Sequence, residues 1–243
     1  MMAAQLLAAE GHRVALHARN AQRAEDARAQ LPSAEAVVLG DLSSISGMRD
    51  VARQVNDLGR FDAVIHNAGI GYREPRRVET VDGLSQLFTV NVLAPYVLSA
   101  LIERPRRLIY LSSGMHHGAG ADLADLNWTT RKWQGAAAYA ESKLLDVVLA
   151  FAVARLWKDV FSNALEPGWV PTRMGGPGAP DDMDQAHRTQ AWLATSNDPA
   201  ACVTGRYFYH LRLRASNPLA HDMHLQDSLL ARCERLTSVA VPE

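Results

Sequence analysis

Tyr139 and Lys143 are two residues whose types and spacing could do chemistry. They lie in an alanine- and leucine-rich run, 136–149, that predicts a helix, and residues four apart on a helix share a face. The Tyr139 phenol would then lie beside the Lys143 ammonium, and a neighbouring cation favours the ionised form of a phenol. Such a pair could exchange a proton with a substrate oxygen. The alternative, an exposed tyrosine packed on a lysine stem, is the commoner reason for this spacing.

The segments that must position this pair alternate between helix and strand. Strands are predicted at Arg13–Ala18, Ala36–Leu39, Phe61–His66, Arg107–Leu111, Ser162–Leu165 and Tyr207–His210. Helices are predicted at Met2–Glu10, from Asn20 to about Gln30, from Asp41 to Gly59, at Val81–Glu103, around Tyr139 and at His224–Thr237. Short strands separated by helices are typical of an α/β fold with a parallel sheet covered on both faces. Because no repeat or linker interrupts the pattern, we predict a single domain over 1–243.

Small and polar residues stand at the carboxyl ends of five predicted strands. In a doubly wound sheet these ends meet at one rim, where ligands bind. The residues at that rim are Arg19, Asp41-Leu42, His66-Asn67-Ala68-Gly69, Ser112-Ser113-Gly114 and Pro167-Gly168-Trp169-Val170-Pro171-Thr172. Five strands that end in this way argue for a ligand site more strongly than the tyrosine–lysine pair alone.

The bulk composition is that of an ordinary globular domain. The 243 residues are 48% hydrophobic and 21% charged, with a net charge of −1. Nothing in this balance favours a nucleic-acid partner, and no apolar run reaches the roughly 18 residues of a membrane span. The start, Met1–Leu7, lacks a signal-peptide pattern, so a cytoplasmic location is expected. Neither Cys202 and Cys233 nor His116-His117 has metal-ligand spacing; no metal is expected, and the histidines are predicted to lie in a loop near the substrate mouth.

Taken together, these residues resemble the short-chain dehydrogenase/reductase family. The matching motifs occur in the family's order and cover nearly the whole chain: Asn67-Ala68-Gly69, Asn91 in Asn91-Val92-Leu93-Ala94-Pro95, Ser112-Ser113, Tyr139-x-x-x-Lys143, and Pro167-Gly168 with Thr172. The 26-residue step from Ser113 to Tyr139 and the stretch Pro167–Met174 look most like the retinol dehydrogenase-like branch. The resemblance implies a Rossmann-like, three-layer α/β/α domain. It also implies an oxidoreductase that interconverts an alcohol and a carbonyl on an apolar small molecule.

The resemblance also implies roles for four residues. Tyr139 would be the general acid/base, and Lys143 would favour its ionised form and hydrogen-bond the nicotinamide ribose. Ser113, rather than Ser112, would hold the substrate oxygen, and Asn91 would help to retain a water that relays protons to Lys143. Two alternatives remain open: a simple strand-end turn for the serine pair, and a buried asparagine bonded to backbone for Asn91.

Residues resembling the family's cofactor site come from three strand ends. Asn67-Ala68-Gly69 would let the adenine ribose approach closely, because Gly69 lacks a Cβ. Asp41 and Leu42 resemble the pair that contacts adenine, although Asp41 could be only a helix cap.

The other cofactor residues bear on the nicotinamide and on cofactor choice. Pro167 and Gly168, with Val170 and Thr172, resemble the residues around the nicotinamide carboxamide, and Tyr139 and Lys143 would also contact the cofactor. Arg19 stands where an acid would bind a free ribose 2′-hydroxyl, and an arginine suits a 2′-phosphate. NADP(H) is therefore expected as the cofactor rather than NAD(H).

The chain departs from the family pattern at its beginning. The family opens with a strand and a glycine-rich turn that hold the pyrophosphate, and neither precedes Ala3. The sequence is therefore expected to be N-terminally truncated, which would leave the strands Arg13–Ala18 and Phe61–His66 without ladder partners between them. If the chain does begin at Met1, weak or absent dinucleotide binding is expected.

Two other functions stay open beside the enzyme. One is a non-catalytic dinucleotide-fold protein that regulates or binds a partner, and the other is a truncated fragment with impaired cofactor binding. The resemblance further implies a homodimer or homotetramer joined through the helix that carries Tyr139 and the helix before it.

Overall fold

Seven strands lie at the centre of the computed structural model, which describes residues 1–242. They are β1 (Ala15–Ala18), β2 (Ala36–Leu39), β3 (Ala63–His66), β4 (Arg107–Leu111), β5 (Phe161–Glu166), β6 (Tyr207–Tyr209) and β7 (Arg212–Leu213). Their hydrogen bonds form two sheets, β1-β2 and β3-β4-β5-β6-β7, with all neighbours parallel except β6 and β7. The predicted α/β fold with a mostly parallel sheet is confirmed.

Eight α-helices flank the strands within the described residues. They are α1 (Met2–Ala9), α2 (Ala21–Gln30), α3 (Ile45–Asp57), α4 (Gln86–Phe88), α5 (Ala94–Leu101), α6 (Gly135–Leu156), α7 (Arg188–Thr195) and α8 (Met223–Thr237). The side chains of Asn20 and Ser44 start α2 and α3, because they accept hydrogen bonds from the backbone N–H groups of Arg23 and Gly47. None of the helices in residues 1–242 is both long and apolar enough to cross a membrane.

The side chains of β4 show how the two helical layers cover the sheet. Successive residues of a strand point to opposite faces. Leu108 and Tyr110 pack into the larger core cluster with α3, α5 and α6, whereas Ile109 packs with Leu193 of α7 on the other face. A strand buried on both faces explains the unbroken apolar run that predicted β4 at its observed bounds.

The sheet is interrupted between β1 and β3. Among the described residues, β1 has a ladder only with β2, and β3 has a ladder only with β4. The prediction that these two strands would lack partners on their other edges agrees with this pairing. Leu16 and Ile65, apolar residues of these two strands, are only partly buried as a result.

The prediction of one long helix over Val81–Glu103 is wrong at its start and interrupted in its middle. Val81 is 89% exposed, in a turn where Gly83 adopts φ +74°, so the chain cannot be helical there. The helix begins at Gln86 and passes through a π-helical turn, Thr89–Leu93, before α5. A π turn inside a helix is frequent at functional sites, and this one carries Asn91.

The helix α6 is buried along most of its length. Every residue from 141 to 154 is buried within the chain. The strands β4 and β5 cover one side of α6, and α8 with the short 3-10 turn Pro218–His221 covers another. The described chain itself covers this stretch, and the expected contact with a second copy stays a prediction.

Candidate active site

Tyr139 and Lys143 are brought together as the spacing predicts. Both side chains lie on α6, both residues are 6% exposed, and the Lys143 Nζ atom is 5.9 Å from the centre of the Tyr139 ring. This burial rules out the alternative of an exposed tyrosine resting on a lysine stem. Gly135 allows the helix to start here, because a Cβ at this position would lie 2.4 Å from the carbonyl oxygen of Glu74.

Two acceptors hold the ammonium of Lys143. Its Nζ donates hydrogen bonds of 2.8 Å to the carbonyl oxygen of Leu111 at the end of β4 and to Oδ2 of Asp146. Its third N–H has no hydrogen-bond partner among residues 1–242. Sequence reasoning missed Asp146, although a signal was present: it is the one acid in the apolar run 144–154, one helical turn after Lys143.

Burial shapes the chemistry of Asp146. Burial raises the pKa of its carboxyl to about 6, although the charge and the hydrogen bond of Lys143 act in the opposite direction. Its Oδ1 atom is buried and accepts no hydrogen bond within the described chain. An unpaired buried carboxylate oxygen is costly, so this residue stands out from the apolar packing around it.

Loops that follow β3 and β5 cover the phenol of Tyr139. The Tyr139 hydroxyl lies 3.8 Å from the sulfur of Met174, and its ring meets the ring of Tyr72 edge-on at 5.8 Å. Met174 packs so closely on Gly71 that a Cβ there would lie 2.6 Å from its side chain. The surroundings of the phenol are therefore largely apolar.

The two serines have different surroundings: Ser112 is buried and bonded to α6, whereas Ser113 is partly exposed. Ser112 is buried and its hydroxyl donates to the carbonyl oxygen of Lys143 at 2.7 Å, which ties β4 to α6. Ser113 is partly exposed, and its Oγ accepts a hydrogen bond of 3.3 Å from the Met115 N–H at the start of a 3-10 turn. No hydrogen bond joins Ser113 directly to Tyr139. The choice of Ser113 over Ser112 fits this division.

The side chain of Asn91 is fully engaged with its neighbours. Its Oδ1 accepts from the N–H of Ile70, and its Nδ2 donates to the carbonyl oxygen of Ile70 and to Oγ of Ser142. These contacts match the backbone-bonded alternative. They also place Asn91 beside Lys143, because a Cβ on Gly69 would lie 3.5 Å from Asn91 Oδ1 and 3.6 Å from Lys143 Nζ.

The turn Asn67-Ala68-Gly69 fits the approach of a ligand. Gly69 has no positive φ, and a Cβ there would meet its neighbours only at ordinary contact distances. Neither the backbone nor the packing therefore requires glycine. A group that approaches the backbone closely from outside the chain would explain it, as expected for the cofactor ribose.

The adenine end of the expected site is open at the ends of β1 and β2. Arg19 is exposed and its guanidinium has no hydrogen-bond or ion-pair partner in residues 1–242. Asp41 accepts a hydrogen bond from the Ser43 N–H, and Ser44 rather than Asp41 is the N-cap of α3. The Leu42 side chain lies in the core at 6% exposure, so only its backbone can face a ligand.

The nicotinamide end is the turn that follows β5. Gly168 adopts φ +89°, and a Cβ there would lie 2.8 Å from the carboxylate of Asp181, so glycine is required at this position. Val170 is buried, whereas Thr172 is exposed and its Oγ1 accepts a hydrogen bond from the Gly175 N–H. The turn is thus fixed by its own hydrogen bonds.

His116 lies elsewhere than predicted. It is fully buried rather than at a substrate mouth, with its Nδ1 2.8 Å from the carbonyl oxygen of Ser113 and its Nε2 accepting from the Asn217 N–H. Burial lowers its pKa to about 4. His116 therefore supports the strand end that carries Ser113, while His117 is exposed beside it.

Sequence reasoning also missed Glu141, which fastens the segment 119–134 to α6. Its carboxylate is buried and accepts hydrogen bonds from the Asp122 N–H, the Trp128 indole and the Arg131 guanidinium, at 2.7, 2.8 and 3.0 Å. Asp125 orders the same segment by accepting bonds from the backbone N–H groups 129, 130 and 131. The stretch between Ser113 and Tyr139 is thus held against the helix of the candidate site.

Comparison with known proteins decides the family. A family model described as enoyl-(acyl carrier protein) reductase matches residues 1–205. An uncharacterized oxidoreductase of Emericella nidulans and a short-chain dehydrogenase of Gibberella zeae are 41% and 37% identical to this chain, each over 99% of it and 93% of the relative. The chain belongs to the short-chain dehydrogenase/reductase family. The resemblance read from the motifs is confirmed.

Two further comparisons bear on the branch and on the fold. Retinol dehydrogenase 13 of Homo sapiens is 32% identical over 83% of this chain and 68% of its own length. A solved structure of an uncharacterized protein from Mycobacterium paratuberculosis matches with a TM-score of 0.83 and 25% identity, covering 100% of this chain and 90% of that one. Members of this family are oxidoreductases that use nicotinamide dinucleotides on small molecules.

Proposed function

We propose that this chain is an NADP(H)-dependent oxidoreductase that interconverts an alcohol and a carbonyl, with Tyr139 as the proton donor and acceptor. The observation that carries the proposal is the position of Lys143. Its buried ammonium lies 5.9 Å from the Tyr139 ring and next to the turn of Gly69, so it can serve the phenol and a cofactor ribose together. A cation beside a phenol favours proton transfer near neutral pH.

The remaining residues of the proposed site hold the reactants. Ser113, at the end of β4, holds the substrate oxygen, and Asn91 braces the turn that faces the cofactor. The apolar cover of Tyr139, from Tyr72 and Met174, favours an apolar substrate. This cover also keeps water from the phenol, which strengthens charge interactions inside the site.

The proposed cofactor contacts follow from the residues left without partners. Gly69 leaves room for the ribose, Lys143 has an N–H free to donate, and Arg19 offers an unpaired guanidinium to a 2′-phosphate. The backbone of Leu42 is proposed to face adenine, and Thr172 the nicotinamide carboxamide. When bound, the nicotinamide would supply or accept the hydride. We further propose that the enzyme works in the cytoplasm.

An assay of NADPH oxidation over a panel of apolar aldehydes and ketones tests the proposal, with NADPH affinity measured in parallel by fluorescence. Turnover that depends on NADPH supports it. Binding of NADPH without turnover of any carbonyl would favour the non-catalytic dinucleotide-fold protein instead. Absence of both binding and a cooperative thermal transition would indicate a fragment that does not fold alone.

A further inference from the structure

Asp146 is a buried ionisable residue to which the proposed chemistry gives no task. Its side chain is 3% exposed and lies one helical turn after Lys143, whose side chain is 7% exposed. The two groups meet at 2.8 Å inside the chain, where water does not screen their charges. This pair is therefore different from an exposed i,i+3 ion pair, which would contribute little.

Among residues 1–242, Asp146 is one of only two groups that accept a hydrogen bond from the Lys143 ammonium. The other is the carbonyl oxygen of Leu111. A lysine stem has four rotatable bonds, so loss of one of two acceptors leaves the ammonium free to move away from the Tyr139 ring. A fixed position is required if Lys143 is to act on the phenol and on a ribose at once.

The groups that face Asp146 from neighbouring elements are uncharged near neutral pH. Tyr110 on β4 has a pKa raised above its usual value by burial, and the charge of Asp146 raises it further. Ser99 on α5 bonds to the Tyr110 hydroxyl and to His66 on β3, and burial lowers the His66 pKa to about 3. Lys143 and Asp146 are therefore the charged pair within this buried polar cluster.

We propose that Asp146 is a positioning residue for Lys143, which fixes the ammonium beside Tyr139 and offsets part of its charge. The inference rests on the proposed function. The cation of Lys143 favours loss of the Tyr139 proton. While Asp146 is ionised, its negative charge opposes this effect. Replacing the carboxylate with an amide of the same shape would remove that opposing charge, while the amide oxygen would still accept the hydrogen bond of Lys143 and keep its ammonium in place.

The first test is the variant Asp146→Asn, with Asp159→Asn as a control that removes an exposed carboxylate beyond the end of α6. The pH at half-maximal kcat/KM for alcohol oxidation should move down by about one unit in Asp146→Asn, because removal of a buried negative charge near the phenol favours its ionisation by on the order of one unit. The control should not move. A profile of Asp146→Asn that coincides with the wild type, or that moves to higher pH, would overturn the inference.

The second test needs no activity and no substitution at position 146. The chain contains three lysines, Lys132, Lys143 and Lys158, so 13C-lysine labelling gives three Cε signals that Lys143→Arg assigns. In the wild type the Lys143 signal should shift with a step near pH 6 as Asp146 takes up its proton. The exposed Lys132 and Lys158 should stay flat across that range.

The two tests separate the inference from the proposed function. If no carbonyl is reduced and no alcohol oxidised, the proposed function fails, while the lysine signal still decides whether Lys143 lies against the carboxyl of Asp146. A Lys143 signal that does not move when the carboxyl carbon signal of Asp146, labelled in parallel, shows protonation of Asp146 would overturn the pairing even in an active enzyme.

Discussion

A single exposed guanidinium, that of Arg19, decides between two cofactors in the proposed function. It stands at the end of β1 and has no partner among the described residues. A phosphate is a bidentate acceptor for arginine, whereas a ribose hydroxyl is not. Cofactor preference should therefore depend on this one side chain.

Arg19→Ala should weaken NADPH binding about 10- to 100-fold, because a hydrogen bond to a charged group contributes about 1.5–3 kcal/mol. Binding of NADH should be nearly unchanged, since NADH has no 2′-phosphate. Fluorescence titration with both cofactors measures this, and Arg28→Ala is a matched control because Arg28 is also an exposed arginine, on α2. Equal losses for NADPH and NADH would contradict the assignment.

At the residue level, the sequence could show which residues carry chemistry but not what holds them. Tyr139 and Lys143 were predictable because four residues on a helix bring two side chains together whatever surrounds them. Asp146 follows the same rule, yet its burial depends on how β4 and β5 pack on α6. His116 was misplaced for the same reason: only the contact with Asn217, about a hundred residues away, shows that it is buried.

The start of α6 depends on a glycine at position 135. A Cβ at Gly135 would meet backbone oxygens of Glu74 and Tyr72 at 2.4 and 3.1 Å, and backbone does not move aside cheaply. Gly135→Ala should therefore lower the free energy of unfolding by about 1–3 kcal/mol, as overpacking does. Chemical denaturation checks this against Gly118→Ala, where a Cβ meets nothing within 4 Å. Equal stability of the two variants would be inconsistent with this close contact.

Asp125 should make the order of the segment 119–134 sensitive to acid. Burial acts to raise the pKa of its carboxyl, but hydrogen bonds from Thr129 and Thr130 outweigh burial and hold the pKa well below its usual range. A depressed folded pKa stabilises the protein above the unfolded value, about 4, and that stabilisation is lost as the pH falls below it.

Asp125→Asn should therefore cost about 1.5–3 kcal/mol of unfolding free energy at pH 7, the value of hydrogen bonds to a charged group. The difference from the wild type should shrink as the pH is lowered below about 4. Urea denaturation at several pH values measures it, with the exposed Asp159→Asn as the control. A difference that stays constant down to pH 3 would contradict the ionised state of Asp125.

The bounds of strands were predicted correctly where a short apolar run was flanked by turn-forming residues. The bounds of β2 and β4 were predicted as observed, because both are short apolar runs between turn residues. The sequence predicted α4 and α5 as one continuous helix. The π turn at Asn91 that separates them does not change the spacing of apolar residues enough to be seen in the sequence. The helix α7 was not predicted because it follows a loop rich in glycine and proline, and β7 was not predicted because it is a two-residue strand whose side chains are both exposed.

The free energy of local opening should differ between the two halves of the molecule, because its strands form two separate sheets. The strands β1 and β2 have ladders only with each other, and most of their side chains are partly or fully exposed. The strands β4 and β5 lie inside a five-stranded sheet with α6 buried against them. Local opening is easiest where few buried contacts oppose it.

Hydrogen exchange followed by mass spectrometry should therefore show the weakest protection in β1 and β2 and the strongest in β4, β5 and α6. Peptides of similar length from the two sheets provide the comparison within one sample. Equal protection in both sheets would contradict the separation of the strands. The missing ladder partners between β1 and β3 could be predicted from the family resemblance, but the exposure of the β1 and β2 side chains followed only from the pairing that the structure shows.

The measurement that tests the central claim most directly is the rate of NADPH-dependent carbonyl reduction in Tyr139→Phe. Loss of the phenol hydroxyl should lower kcat/KM about 100- to 10,000-fold, the usual range for a general acid, while NADPH affinity stays within about twofold. Tyr96→Phe is the matched control, because Tyr96 donates only to the carbonyl oxygen of Val239 in the core. Activity of Tyr139→Phe equal to that of the control would contradict the assignment of Tyr139 as the proton donor.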